Sequence, residues 1–435
     1  MKVLFYPRRH APEQKGGDFI ALQHTLGALE ARGVQCALST DATLDLTAYD
    51  VVHLYSLGDP YSAIPFALNA RRQRKPIVVT PIYWRHDQWL AARLQPVPQR
   101  IEHSLAALST DEQARVRRMI QVEESIYTGA HRLVIQLAAR VFALSKMERA
   151  ILRDDFGARD EQLAVTYNGA DASFAQGNAE RFLQQHQIPT RDFVLCVARV
   201  DERKNTIGLV RAWNDETTPL ALVGRAPDPA YLEMCRAIAK PHIYFLGALP
   251  PSQVADAGAA AKVHVMASWW EEQGIAALEA ALAGCNLVMT QNGPGREYFG
   301  DACFTCDPAD EASIRAAIRA ALDAPRQTAL AARVRERFTW DAAADVLVAQ
   351  YHQAAAEKID PHVESSATME TLSRQLCELS ALKTPDLLAL ELQMREQQAW
   401  MRELEQIAEQ RARRRVNLSA VPLLKNFAAW WERRA

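Results

Sequence analysis

The 435-residue chain has no run of eighteen apolar residues, so no membrane-crossing helix is expected from its hydropathy. It also has no Asp-x-Asp and no His/Cys cluster at metal-ligand spacing. The usual arrangements for holding a divalent cation are therefore missing, and no metal is expected. Its seven cysteines are scattered. Cys36, Cys196 and Cys285 fall in or beside apolar stretches, where a thiol acts as a small hydrophobe. Cys303 and Cys306 form a lone CxxC with no second pair, too little for a zinc site or a disulfide framework. An excess of one charge sign is lacking too. Fifty Lys and Arg against 52 Asp and Glu leave a net charge of −2, with no whole-protein attraction to nucleic acid, so anions must be held locally. The opening Met1–Tyr6 lacks the apolar stretch of a secretory signal and reads directly as a strand. With free thiols, this sets the expected location as cytoplasmic.

What is present is an ordinary globular composition, 49% hydrophobic and 23% charged, long enough for two or three domains. Short apolar runs at 2–6, 34–38, 50–55, 76–80 and 141–145 predict strands, with helical or loop segments between them. A second series follows at 193–198, 219–223, 242–246, 262–267, 286–290 and 302–306. Strand-helix alternation of this kind predicts α/β architecture with parallel, doubly wound sheets. The boundary is placed in the polar stretch 172–190, dividing the chain into residues 1–185, 186–356 and a tail, 357–435. The segment 86–130 is polar and largely helical in pattern, and Tyr167–Asp171 reads as a turn.

The most informative stretch is 262–297. Strand-like Val263–Ala267 leads into Ser268-Trp269-Trp270-Glu271-Glu272-Gln273-Gly274, then into Ile275–Ala283, which has strong helix propensity and stops at Gly284. Glu271 precedes the helix and Glu279 lies within it. Eight steps at helical rise would set them roughly 12 Å apart, near the reach of a nucleotide sugar from ribose to hexose. Between them, at Gly274 and Ile275, a helix N-terminus offers unpaired N–H groups to a diphosphate. Taken alone, two acids at this spacing are more often a helix cap and a solvated surface residue.

These residues resemble the E-x7-E signature of GT-B glycosyltransferases, in particular the large retaining family 4. Ser268, Trp270, Glu271, Gly274, Glu279, Ala280 and Gly284 match it position by position, and Glu297 sits where the family has a further Glu. Arg199 and Lys204, five apart after the strand at 193–198, resemble the family's Arg-x4-Lys pair. That pair holds the donor diphosphate and stabilises it as leaving group, work suited to a guanidinium fork and a point charge. Gly16-Gly17, opening the first helix, stands where the family has a glycine-rich loop near the donor phosphates. His86 lies a few residues beyond the family's usual His position and is a displaced candidate beside the transferred sugar. Phe338-Thr339-Trp340-Asp341 and Tyr351 resemble the family's last helix, which crosses back to the first half. The resemblance covers about residues 1–356.

It implies a retaining, metal-independent hexosyltransferase with two Rossmann-like halves facing a cleft. Its donor would be a nucleotide-diphosphate sugar, its acceptor a saccharide or lipid-linked hydroxyl, and it would need no separate cofactor. Glu271 would hold hexose hydroxyls and Glu279 the ribose. Surface polysaccharide or glycolipid assembly is the implied setting. Two rivals are a sugar-nucleotide 2-epimerase on the same scaffold and a non-catalytic member acting through its tail. In that tail, Leu387, Met394, Met401 and Ala408 recur every seven residues, and Arg411–Arg415 precede an aromatic, basic stretch, 421–434. This pattern fits a peripheral membrane contact or helix-mediated self-association.

Overall fold

A computed structural model describes residues 1–8, 16–58, 60–83, 110–272 and 274–357, with Thr371, Arg374, Gln375 and Glu378 beyond them. Among the described residues, twelve strands form two six-stranded parallel sheets, in the orders β2-β1-β3-β4-β5-β6 and β12-β11-β10-β7-β8-β9. The first contains β1 (Lys2–Pro7), β2 (Gln35–Leu38), β3 (Val51–Tyr55), β4 (Ile77–Thr80), β5 (Arg140–Ala143) and β6 (Leu163–Val165). The second contains β7 (Val194–Val197), β8 (Leu220–Val223), β9 (Ile243–Gly247), β10 (Val263–Met266), β11 (Asn286–Thr290) and β12 (Phe304–Cys306). Strands such as β3, β4, β10 and β11 are buried along their whole length. Their mainly apolar sequences follow from helices covering both sheet faces.

On the first sheet, α1 (Gly17–Glu30) lies on one face and α2 (Pro60–Arg72), α3 (Thr110–Leu137) and α4 (Lys146–Asp154) on the other. The second sheet carries α5 (Ala179–His186), α8 (Pro251–Ala260), α9 (Ile275–Leu282) and α12 (Thr328–Arg337) on one face. Its other face holds α6 (Thr206–Trp213), α7 (Pro229–Ile238) and α11 (Glu311–Asp323), while α10 (Gly295–Phe299) follows β11. Strand β6 is the one the sequence did not announce. It has three residues, all only partly buried, at the edge of its sheet.

The chain joins the halves twice, and the two crossings touch. Ala170 N–H donates to the Phe338 carbonyl at 3.1 Å. Beside it the backbones are so close that a Cβ on Gly169 would stand 2.1 Å from Trp340 N. After the second crossing, α13 (Trp340–Ala356) returns to the first sheet, where Trp340, Leu347 and Tyr351 share a core with Val3, Phe5 and Phe142. The Tyr351 hydroxyl bonds buried His53 Nδ1 at 2.7 Å, and His53 Nε2 bonds Thr80 Oγ1 at 2.8 Å. On the surface, Arg32, just beyond the end of α1, pairs with Asp341 and Asp345 of α13.

Beyond Glu357 the four described residues are helical. Two of them touch α3, through Gln375 to Ser125 at 2.6 Å and Glu378 to Arg118 at 2.6 Å. The heptads and the basic-aromatic stretch lie outside the described residues. Among the described residues no helix is long and apolar enough to cross a membrane.

Candidate active site

In each sheet the strand order reverses once, between β1 and β3 in the first and between β10 and β7 in the second. A crevice opens where loops after neighbouring strands depart in opposite directions, and ligands of such sheets bind there. The candidate residues fall at these two places.

After β7 the ladder to β10 ends at the Leu195–His264 pair. Buried His264 then substitutes a side-chain bond, its Nε2 accepting from Val197 N–H at 3.3 Å. Burial, and next the Lys204 charge, lower this imidazole to about 3, so it is neutral and free to accept. The strand can therefore turn away, and Arg199 through Lys204 form the crevice loop. Arg199 pairs with Asp201 at 3.0 Å, and Asp201 caps the short turn Glu202–Lys204 through Lys204 N–H. Asn205, 3% exposed, holds this loop to its neighbours by donating to the carbonyls of Ala267 and Pro308.

The loop after β10 faces it. Glu271 is buried, and its Oε2 accepts from Lys204 Nζ at 2.5 Å and from Ser268 Oγ at 2.9 Å. Trp269 N–H donates to the Arg203 carbonyl at 3.2 Å, a second tie between the loops. The Glu271 backbone is held from below by Asn292 and Gly293. Glu271 N–H donates to the Asn292 carbonyl, and a Cβ on Gly293 would lie 2.1 Å from the Glu271 carbonyl oxygen. The guanidinium of Arg203 is also in this neighbourhood; burial, followed by the Arg199 charge, lowers it from its ordinary value.

Helix α9 begins at Ile275 after Gly274, whose backbone is left-handed (φ 55°). Its first internal bonds are Ala277 and Leu278 N–H to the Gly274 carbonyl, leaving the preceding N–H groups unused by the helix. Glu279 sits one turn in, half-buried, and burial together with the Asp171 charge pushes it up to about 8. The expected 12 Å spacing of the two acids needs correction. Only Ile275 onward is helical, so helical rise applies to half of the steps from Glu271 to Glu279. Ile275 does not simply present its backbone either, because its side chain packs against the first-half core that includes Phe19 and Tyr55.

Across the cleft, Gly16 is the extended N-cap residue of α1 and Gly17 its first helical residue. A Cβ on Gly17 would meet no atom within 4 Å, so packing does not demand glycine there. Arg8 pairs with Asp18 at 3.1 Å beside this helix start. His86 and Gln273 lie outside the described residues. Cys303 and Cys306 are buried free thiols, pushed up by burial to about 11 and about 12, and no metal-holding group of His, Cys, Asp and Glu occurs among the described residues.

A set of polar contacts at the junction of the halves was not visible in the sequence. Glu272, 2% exposed, accepts from Ser145 Oγ at 2.7 Å and from Trp270 Nε1 at 3.3 Å. Glu297 accepts from Lys146 N–H at 2.8 Å and from the Tyr167 hydroxyl at 2.7 Å. Tyr298 donates to the Leu144 carbonyl at 2.5 Å. Fully buried Glu148 takes backbone N–H bonds from Tyr83 and Leu144; its own burial raises it to about 7 despite them. Nothing in local spacing joins residues 127 apart, such as Ser145 and Glu272. The recurrence of acids at 271, 272 and 297 was the only available signal.

Two Rossmann-like sheets with their crevices facing each other define the GT-B class. The family models agree. Residues 3–174 match Glycosyltransferase Family 4 and residues 178–338 match Glycosyl transferases group 1, so the chain belongs to the family 4 glycosyltransferases. Among characterised relatives, O-antigen chain mannosyltransferase B of Escherichia coli is 30% identical over 172 residues, 37% of this chain and 45% of that protein. The chain thus aligns with less than half the length of that relative. Among solved structures, HepE of Anabaena in complex with UDP superposes with a TM-score of 0.60 at 18% identity, covering 81% of this chain and 100% of that one. Sucrose-phosphate synthase of Thermosynechococcus elongatus gives the same TM-score and identity over 81% and 98%. At such identity the likeness establishes the fold.

Proposed function

We propose that the protein transfers a hexose from a nucleoside-diphosphate sugar to a hydroxyl acceptor with retention of anomeric configuration. The observation that carries this reading is the convergence of Arg199, Lys204, Glu271 and the start of α9 on the crevice between β7 and β10. These are two cations, a carboxylate and a helix N-terminus on the loops that leave neighbouring strands β7 and β10, which suits a sugar diphosphate.

In this reading the C1–O bond to the diphosphate breaks as Arg199, Lys204 and the N–H groups at α9 meet the charge arriving on the leaving group. The acceptor oxygen bonds to C1 on the same face, and its proton passes to the departing phosphate. Lys204 and Ser268 both donate to Oε2 of Glu271, which leaves Oε1 for hexose hydroxyls. Glu279 serves the ribose, and Gly16-Gly17 close on the phosphates from the first half. No metal or separate cofactor is assigned a role, because the cations and helix end supply the positive charge. The relation to an O-antigen mannosyltransferase supports an acceptor in surface polysaccharide or glycolipid assembly, and the UDP-bound neighbour supports a nucleotide-sugar donor.

Calorimetric titration with UDP, GDP and ADP, with and without magnesium, tests the reading. One nucleotide is expected to bind irrespective of magnesium, with affinity lowered about tenfold in Glu279→Ala, the loss of a hydrogen-bond partner. Absence of binding by all three would remove the reading.

A further inference from the structure

The loop that carries Glu271 belongs to the second half but is fastened to both. Glu271 points to Lys204 of its own half, while Trp270 and Glu272, the residues on either side, point to the other. Trp270, 3% exposed, is part of the first half's core, with Leu54, Val79, Ile126 and Ala143. Glu272 reaches Ser145 at the start of α4. The Ser145 hydroxyl is used twice, accepting from Glu148 N–H at 2.9 Å as the helix cap and donating to Glu272. Glu272 is thus bonded to a group whose own position is fixed.

We propose that Glu272 is a positioning residue for glycosyl transfer, tying the Glu271 loop to Ser145 so that Glu271 stands beside Lys204 only while the two halves are closed. Separating the halves must break the Glu272–Ser145 bond and withdraw Trp270, or else drag Glu271 off Lys204. This proposal rests on the transfer reading above for its kinetic part. Its structural part does not.

Three forms of the full chain, wild type, Glu272→Ala and Glu272→Gln, are compared in three measurements. Glutamine keeps a carbonyl oxygen that can accept from Ser145; alanine does not. Turnover in Glu272→Ala is expected to fall about tenfold or more, the scale of a misplaced active-site group. Affinity for the nucleotide, whose charged contacts lie in the second half, should stay within about twofold. Glu272→Gln should recover most of the turnover. Small-angle scattering without nucleotide should show a larger radius of gyration for the alanine form than for the other two.

Unchanged turnover in Glu272→Ala overturns the proposal. So does a parallel loss of turnover and nucleotide affinity in both variants, which marks a role in stability alone. If the wild type shows no transfer, the activity reading fails instead, and scattering still decides the tie. Equal radii in all three forms would refute it.

Discussion

At Glu279 the carboxyl is raised from the ordinary 4.5 to about 8, first by burial and then by the nearby Asp171 charge. The folded form therefore holds a proton that the unfolded chain has released. Its contribution to stability is complete below about 4.5 and is lost as pH rises through about 8. Glu148, raised to about 7 by burial, acts with the same sign over a shorter window. Denaturant unfolding of the nucleotide-free protein should accordingly show stability falling from pH 5 to 8. Glu279→Gln should flatten that slope by up to about one proton. An identical slope in both forms would show that Glu279 is ionised throughout.

At the scale of elements, the loops matter more than the helices and strands they connect. Gly293 lies under the Glu271 backbone at φ 135°, where a Cβ would collide with the Glu271 carbonyl oxygen. Gly293→Ala combines a strained backbone with that clash, so a loss of at least about 1–3 kcal/mol is expected in equilibrium unfolding. An unchanged midpoint would mean that the loop relaxes freely.

The strands that position the site were largely legible in the sequence because each is a short apolar run flanked by polar loops. β11 was read to the residue, and β10 to within one residue at either end. Strand β6 escaped because Leu163-Ala164-Val165 is too short to show a period and lies at an edge. Arg199, Lys204, Glu271 and Glu279 could be picked out as candidates because the family pattern they resemble is one of spacing along the chain. Their pairing was not legible, since the Lys204–Glu271 ion pair joins residues 67 apart. The same holds for Ile275. Its helix-start position was readable, but its packing against the core of the first half is a tertiary fact.

For the molecule as a whole, the bond from α13 to the first sheet links the end of the second half to the core of the first. Removing the Tyr351 hydroxyl would leave His53 Nδ1 buried without that partner. Tyr351→Phe is expected to cost about 1–3 kcal/mol, read by chemical denaturation. A neutral effect would mean that His53 finds another partner or a tautomer that needs none.

The two chain crossings, in contact at Ala170 and Phe338, have a mechanical consequence. A single connecting strand would act as a ball joint and leave the halves free to twist. Two strands side by side act as a door hinge. They suppress torsion and leave one swinging motion, so that each opening returns the same two rims to the same register.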